Sequence, residues 1–271
     1  MMRRLVLTDL RRAQKKKSFF ICLGVLVLLI ITVAIVAVFF PTEGVENGKG
    51  KAFTGFFSVV TGLFPFLVGI PAFQTVLSDD FKSRTMQTAI GRGISRRRLV
   101  LARFYEIIAL LLEATIILTI FGLGLGIILG ASAGDLGKML GKEWFGVLLT
   151  LGYLAIGMLL LYATQNTTAG LVFFILFTAN VFSLLLALLD MIPFLKDNGI
   201  KIAEIMPEGV HGNAEKYLFG YTPSASAAAT DVAIAQDIGK GILYTAIFIA
   251  LYIVLPVFLS QVVFRKKELE F

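Results

Sequence analysis

Three carboxylates, Glu106, Glu113 and Asp190, fall in or beside long apolar runs of this chain. A charge at bilayer depth is costly, so it marks a cavity, an ion path or a proton relay. Glu106 and Glu113 are seven residues apart, close to two helical turns, and share nearly one helical face. They make a candidate intramembrane polar site. A structural reading stands beside it: Glu106 can rest at the interface next to Arg103, and Asp190 can simply end its run.

Other chemistry is hard to find. There is no G-x-x-x-x-G-K-[ST] loop to cradle nucleotide phosphates, and Gly91-Arg92-Gly93 lacks a third glycine and a preceding strand. H-E-x-x-H, C-x-x-C and G-x-S-x-G are all absent. His211 is the sole histidine and Cys22 the sole cysteine, which removes a His-rich metal site and a disulfide framework. No cofactor is expected in this chain. The informative polar stretch is instead Ser78 to Arg103, charged, punctuated by Gly91 and Gly93, and set between two apolar runs. A mere connector needs only about two to eight residues.

The elements around that stretch are read from composition. Apolar residues make up 57% of the 271 and charged residues 16%, and several Leu/Ile/Val/Phe runs reach the ~20 residues a spanning helix needs. Continuous runs, not ten-residue alternations, argue for helices over a membrane barrel. The expectation is an all-α membrane protein, a single domain over 1–271 with six transmembrane helices. Residues 1–18 mix leucines with seven Lys and Arg and suit an amphipathic helix in the headgroup layer, or a basic tail. The apolar run after them is too long for a cleavable signal core.

The expected spans are Phe19–Phe40, Phe53–Leu77, about Phe104–Gly130, Trp144–Ala163, Gly170–Leu189 and Ile242–Val263. Pro65 and Pro71 predict a kink in the second. Gly55, Gly62 and Gly69, and the row Gly122, Gly126 and Gly130, predict close helix contacts. Thr164 to Thr168 allows only a tight turn. Residues 191–241 form an external segment long enough for structure of its own, with a capped helix expected after Ser224.

Six spans leave 17 Lys and Arg on the side holding both termini and the Ser78–Arg103 stretch, against 8 on the other. The positive-inside bias makes that first side cytoplasmic. The excess cations suit anionic lipid headgroups, and no nucleic-acid partner is expected. Within residues 78–103, Asp79 and Asp80 suit the N-terminus of a short helix. Gly91 and Gly93 would break that helix, and Ser95 can cap the next. Such an elbow could act as a lever between two membrane helices. It could equally be an interfacial loop whose arginines meet lipid phosphate.

Asp80-Phe-Lys-Ser-Arg-Thr85, then Ala89-Ile90, Gly93-Ile-Ser95-Arg96, and Arg103 at the next span resemble the cytoplasmic coupling region of ABC-2 type transporter permeases. Arg84 stands where that family commonly has Gly, and Arg103 where Lys is usual. The layout is similar too: basic amphipathic N-terminus, six spans, long external segment, Phe-Arg-Lys-Lys-Glu ending. Within the family the nearest pattern is the Gram-positive group linked with antimicrobial peptide export or immunity. The resemblance implies a multi-pass permease subunit of an ATP-binding-cassette exporter in a bacterial plasma membrane. It implies two partners besides membrane lipid: a second permease subunit, and a separate ATPase that binds ATP and magnesium. Asp80, Phe81, Arg84, Thr85, Met86 and Ile90 would then contact the ATPase, with Arg92, Arg96 and Arg97 fastening the segment to it or to headgroups. The rival classes are a secondary transporter, an intramembrane enzyme, and a non-transporting membrane immunity or sensing protein.

Overall fold

The computed structural model describes residues 10, 11, 14, 16–42, 47–82, 85–91, 93–189, 202–220 and 235–266. Every regular element among them is helical. Five helices are long and apolar enough to cross a membrane, or six if one sharply bent pair counts as a single span. These are α1 (Lys17–Phe39), α2 (Gly48–Ser78), α4 (Arg96–Ile128), α5 (Ala133–Thr164) and α9 (Ile238–Lys266), with the bent pair α6 (Thr167–Thr178) and α7 (Val181–Leu189). Between α2 and α4 lies the short α3 (Thr85–Gly91), and ahead of α9 lies α8 (Pro207–Phe219). The interfacial helix expected over 1–18 and the helix expected after Ser224 fall largely outside the described residues.

The helices outrun the expected spans. At 1.5 Å per residue, the 33-residue α4 and 32-residue α5 are about 50 Å long, against a hydrocarbon core of about 30 Å. Hydropathy marks only the stretch that lipid would touch, whereas the helix continues through the polar flanks. Thus α4 starts at Arg96, with Ser95 in the capping position but its side chain making no cap hydrogen bond, whereas α5 starts at Ala133, where Ser132 accepts a hydrogen bond from the Asp135 amide. Large apolar side chains such as Ile21, Leu28, Ile120, Ile128 and Phe258 face outward, a surface that suits lipid rather than water.

The expected kink in α2 takes another form. Pro65 and Pro71 lack the amide that would close their own helical turn, and the helix widens into π-turns at Pro65–Gly69 and Phe73–Ser78. It then runs one turn further, Asp79–Lys82. Asp79 and Asp80 therefore follow the end of a long helix and do not begin a free one. The dipole argument does not apply there, and Lys16 pairs with Asp79 instead, donating also to the Thr75 carbonyl at 3.3 Å.

The two glycine repeats behave differently. A Cβ on Gly122 would meet the Phe57 ring at 2.9 Å, and one on Gly126 would meet Leu136 at 2.6 Å, so α2 and α5 nest against α4 there. Gly130 closes α4 at φ +76°, with Ala131 N–H donating to the Gly126 carbonyl. Among the described residues nothing lies within 4 Å of a Cβ built on Gly55 or Gly62, whereas one on Gly69 would meet the Phe174 ring at 2.6 Å. The expected glycine contact along α2 is thus wrong for two of its three positions. Repeat spacing sets a face but not what covers it.

The tight turn holds. Gln165 takes a left-handed conformation, and Asn166 Oδ1 accepts from the amides of Thr168 and Ala169 to start α6. The expected fifth span is not continuous: α6 and α7 meet at 61°, with Asn180 at φ +56° between them. The long segment before the last span does carry structure, since α8 packs on both α5 and α9.

Candidate functional site

Around the charged stretch, four long helices are joined at one end of the bundle. Phe81, in the turn after α2, is buried and sets its ring 5.6 Å from that of Tyr162 near the end of α5. Tyr162 in turn lies 4.7 Å from Phe264 near the end of α9. Arg96, first residue of α4, holds its guanidinium 5.7 Å over the Phe264 ring and donates from Nη1 to the Phe264 carbonyl at 3.1 Å. That carbonyl is in the last turn of its helix, where a cation is favoured by the dipole.

Between these fixed points α3 forms the elbow. Met86 is fully buried in the main core, and Ala89, Ile90 and Ile94 pack against it. The chain reverses at Gly93, φ +84°, just past the end of α3 at Gly91. There Gly93 N–H donates to the Ile90 carbonyl and Ile94 N–H to that of Ala89, the paired bonds of a helix that reverses through a glycine. Thr88 and Gly91 face outward.

The sequence-chosen contact residues therefore separate. Phe81 and Met86 point inward and anchor the elbow. Ile90 is half-buried and Arg96 is engaged with α9, while Arg97 is exposed. Asp80 and Thr85 lie in helical backbone on either side of the corner, and Arg84 and Arg92 lie outside the described residues. Alternating apolar and polar residues in a short helix do not reveal which side faces a core. Thr88, exposed on this helix, is small and uncharged, and nothing in its sequence setting marks it.

The two glutamates of the candidate polar site have separate partners. Glu106 is 1% exposed and takes both Arg103 Nη1 bonds, at 2.9 and 2.6 Å, one turn away on the same helix. Removing either partner would leave a buried charge, the costly case. Glu113 Oε2 accepts from Gln14 Nε2 at 2.8 Å, tying the N-terminal arm to α4. Seven residues apart on α4, they bond to different partners, Arg103 and Gln14.

A buried carboxylate that the sequence reading missed is Glu143, on α5. It is 2% exposed, its Oε1 accepts from Thr119 Oγ1 at 2.8 Å, and Oε2 has no hydrogen-bond partner among the described residues. Trp144 Nε1 donates to the same Thr119 oxygen at 3.2 Å. A second missed cluster surrounds the bend in α6–α7. Tyr153 donates to Glu208 Oε1 at 2.8 Å and Ser183 to Glu208 Oε2 at 2.6 Å, so α8 clasps α5 and α7 together. No spacing rule links residues 153, 183 and 208. By contrast, Thr54, Ser58 and Thr61, at helical spacing on α2, carried a readable polar stripe. Among the described residues no group of three or more His, Cys, Asp or Glu could hold a metal. Comparison of the sequence with protein-family models and with curated proteins finds no match.

Proposed function

We propose that this chain is the permease subunit of an ATP-binding-cassette exporter, with both termini and the α3 elbow in the cytoplasm. A separate ATPase subunit grips the elbow, and a second permease subunit completes the pathway. ATP and magnesium are held by the ATPase. The observation that carries this reading is the fastening of the elbow: Phe81, Met86 and Arg96 are committed inward or to α9, while Thr88 and Gly91 stand free on the outer side. A partner pressing on Thr88 would displace the joined ends of α2, α4, α5 and α9 together, as a coupling element must.

The test is co-purification. The tagged chain, extracted from native membranes in mild detergent, is expected to retain a soluble nucleotide-binding protein and to show no ATP hydrolysis after that protein is stripped. Thr88→Arg should release it while leaving the permease inserted. Extraction that returns no nucleotide-binding protein refutes the reading. One observation favours a secondary transporter instead: discontinuous helices at midplane sites characterise that class, and α6–α7 is broken by 61°. Ion-gradient-driven uptake into vesicles containing this chain alone would select that alternative.

A further inference from the structure

At the end of the bundle away from the elbow, a cleft of about 340 Å³ opens between α2, α5, the α6–α7 bend and α8. Its size is that of a small-molecule site. One wall is the stripe Thr54, Ser58 and Thr61 on α2, partly or fully exposed on a helix otherwise clothed in Phe, Val and Leu. The facing wall carries Lys142 and Tyr153, and the end wall Asn180, His211 and Glu215. Phe57, Met139 and Leu149 supply apolar surface between them.

The hydrogen-bond inventory of this cleft is lopsided. Thr54 donates to the Lys51 carbonyl at 3.0 Å, Ser58 to Gly55 at 2.7 Å, and Thr61 to Ser58 at 2.8 Å. Thr178 donates to the Phe174 carbonyl at 2.9 Å, and Tyr153 gives its hydrogen to Glu208 at 2.8 Å. All five hydroxyl hydrogens are committed within the protein, so what these groups offer a ligand is lone pairs. The Phe145 carbonyl can only accept, so His211 donates to it from Nε2 at 3.0 Å, which leaves Nδ1 an acceptor when the ring is neutral. Lys142, the cation on the lining, is held by Glu215 at 3.2 Å. Glu208, behind Tyr153, adds a second carboxylate against that one lysine.

We propose that this cleft binds an amphiphile through a primary ammonium headgroup, its apolar part lying along Phe57, Met139 and Leu149. An ammonium brings three donors and no acceptor, which complements a wall of lone pairs with a net negative rim. Among the described lining residues, Lys142 and Asn180 are the side chains with donors left for an anionic or acceptor-rich headgroup. Under the permease reading, on which its role as a cargo site rests, the cleft is where cargo is held. Binding itself requires neither the elbow nor an ATPase.

The test uses Trp144, the sole tryptophan, two residues from Lys142. Titrating the full chain in neutral detergent with dansylcadaverine, a primary amine, should give saturable energy transfer from Trp144 that dodecylamine displaces. N-acetylating the probe removes the charge and two donors, and should weaken binding at least tenfold, as expected for lost charge-assisted hydrogen bonds. Glu215→Gln, at the partly exposed rim, should weaken the amine and leave the acetylated probe unchanged. Ser58→Leu with Thr61→Leu should abolish transfer by filling the cleft. Should that pair fail to fold, Thr61→Val, which keeps the shape and removes one acceptor, must still cost several-fold. Equal binding of amine and acetylated probe, or amine binding indifferent to Glu215→Gln, overturns the proposal. Co-purification of an ATPase is untouched by either result, so the two readings fail separately.

Discussion

Replacing Phe81 with alanine should loosen the elbow without unfolding the bundle. The side chain is 5% exposed and its ring packs on Tyr162, so truncation removes most of a buried aromatic. Phenylalanine-to-alanine changes at such sites cost about 3–5 kcal/mol. The loss falls on a corner held otherwise by Met86, the glycine reversal at Gly93 and the Arg96 bond to Phe264, and not on the interior of α5. At ~1.4 kcal/mol per tenfold, a cost near ~3 kcal/mol raises local opening by about 100-fold. Amide hydrogen exchange of the full chain in a lipid disc reads this directly. Protection over residues 86–94 is expected to drop by about that factor, while residues 146–156 in the interior of α5 keep theirs. Thr88→Glu is the control: exposed, it should leave exchange unchanged, and under the permease proposal it should weaken docking of an ATPase. A change under about threefold, or an equal loss across α5, refutes the reasoning that Phe81 is the elbow's anchor.

Tyr153→Phe deletes the hydroxyl that meets Glu208 and should destabilise α8 by about 1.5–3 kcal/mol, the worth of a hydrogen bond to a charged group. Faster exchange in residues 207–219 with α9 unaffected would bear this out. Thr119→Val strips Glu143 Oε1 of its donor and Trp144 of its acceptor, and should shift the emission of the single tryptophan and lower the melting temperature; unchanged emission counts against it. Burial holds the His211 imidazole below its ordinary 6.5, opposed by the Phe145 carbonyl, Glu215 and Glu208. The folded state therefore binds fewer protons than the unfolded one below about pH 6.5, so the packing of α8 should be fully stable above that pH and weaken as pH falls through it. Protection of residues 207–219 compared at high and low pH checks the sign, and His211→Phe should flatten the dependence.

Much of the architecture was legible because lipid imposes a simple demand. Every backbone group must find a partner within its own helix, so apolar length alone marks α1, α2, α4, α5 and α9. The turn at Gln165–Asn166 and the nesting at Gly122 and Gly126 were readable because they depend on local spacing. The bend at Asn180 was not: no proline or glycine sits there, and its surroundings come from residues 153, 183 and 208 on other elements. The same limit hid the cleft, whose walls are drawn from helices far apart in sequence. It also hid the inward turn of Phe81 and Met86, since the sequence says these residues are apolar but not whether a core or a partner receives them.

Gly50 lies where α2 passes the end of α4, and any Cβ there would collide with the backbone of Ala131. Main chain thus meets main chain at one extremity of this pair, while at the other α2 and α4 are each fastened to a neighbour, Phe81 to Tyr162 of α5 and Arg96 to Phe264 of α9. Backbone packed on backbone has no side chain to give way, so a shift of one helix at that point must carry the other with it. A side chain larger than glycine at position 50 would have to part the two helices before it could be housed.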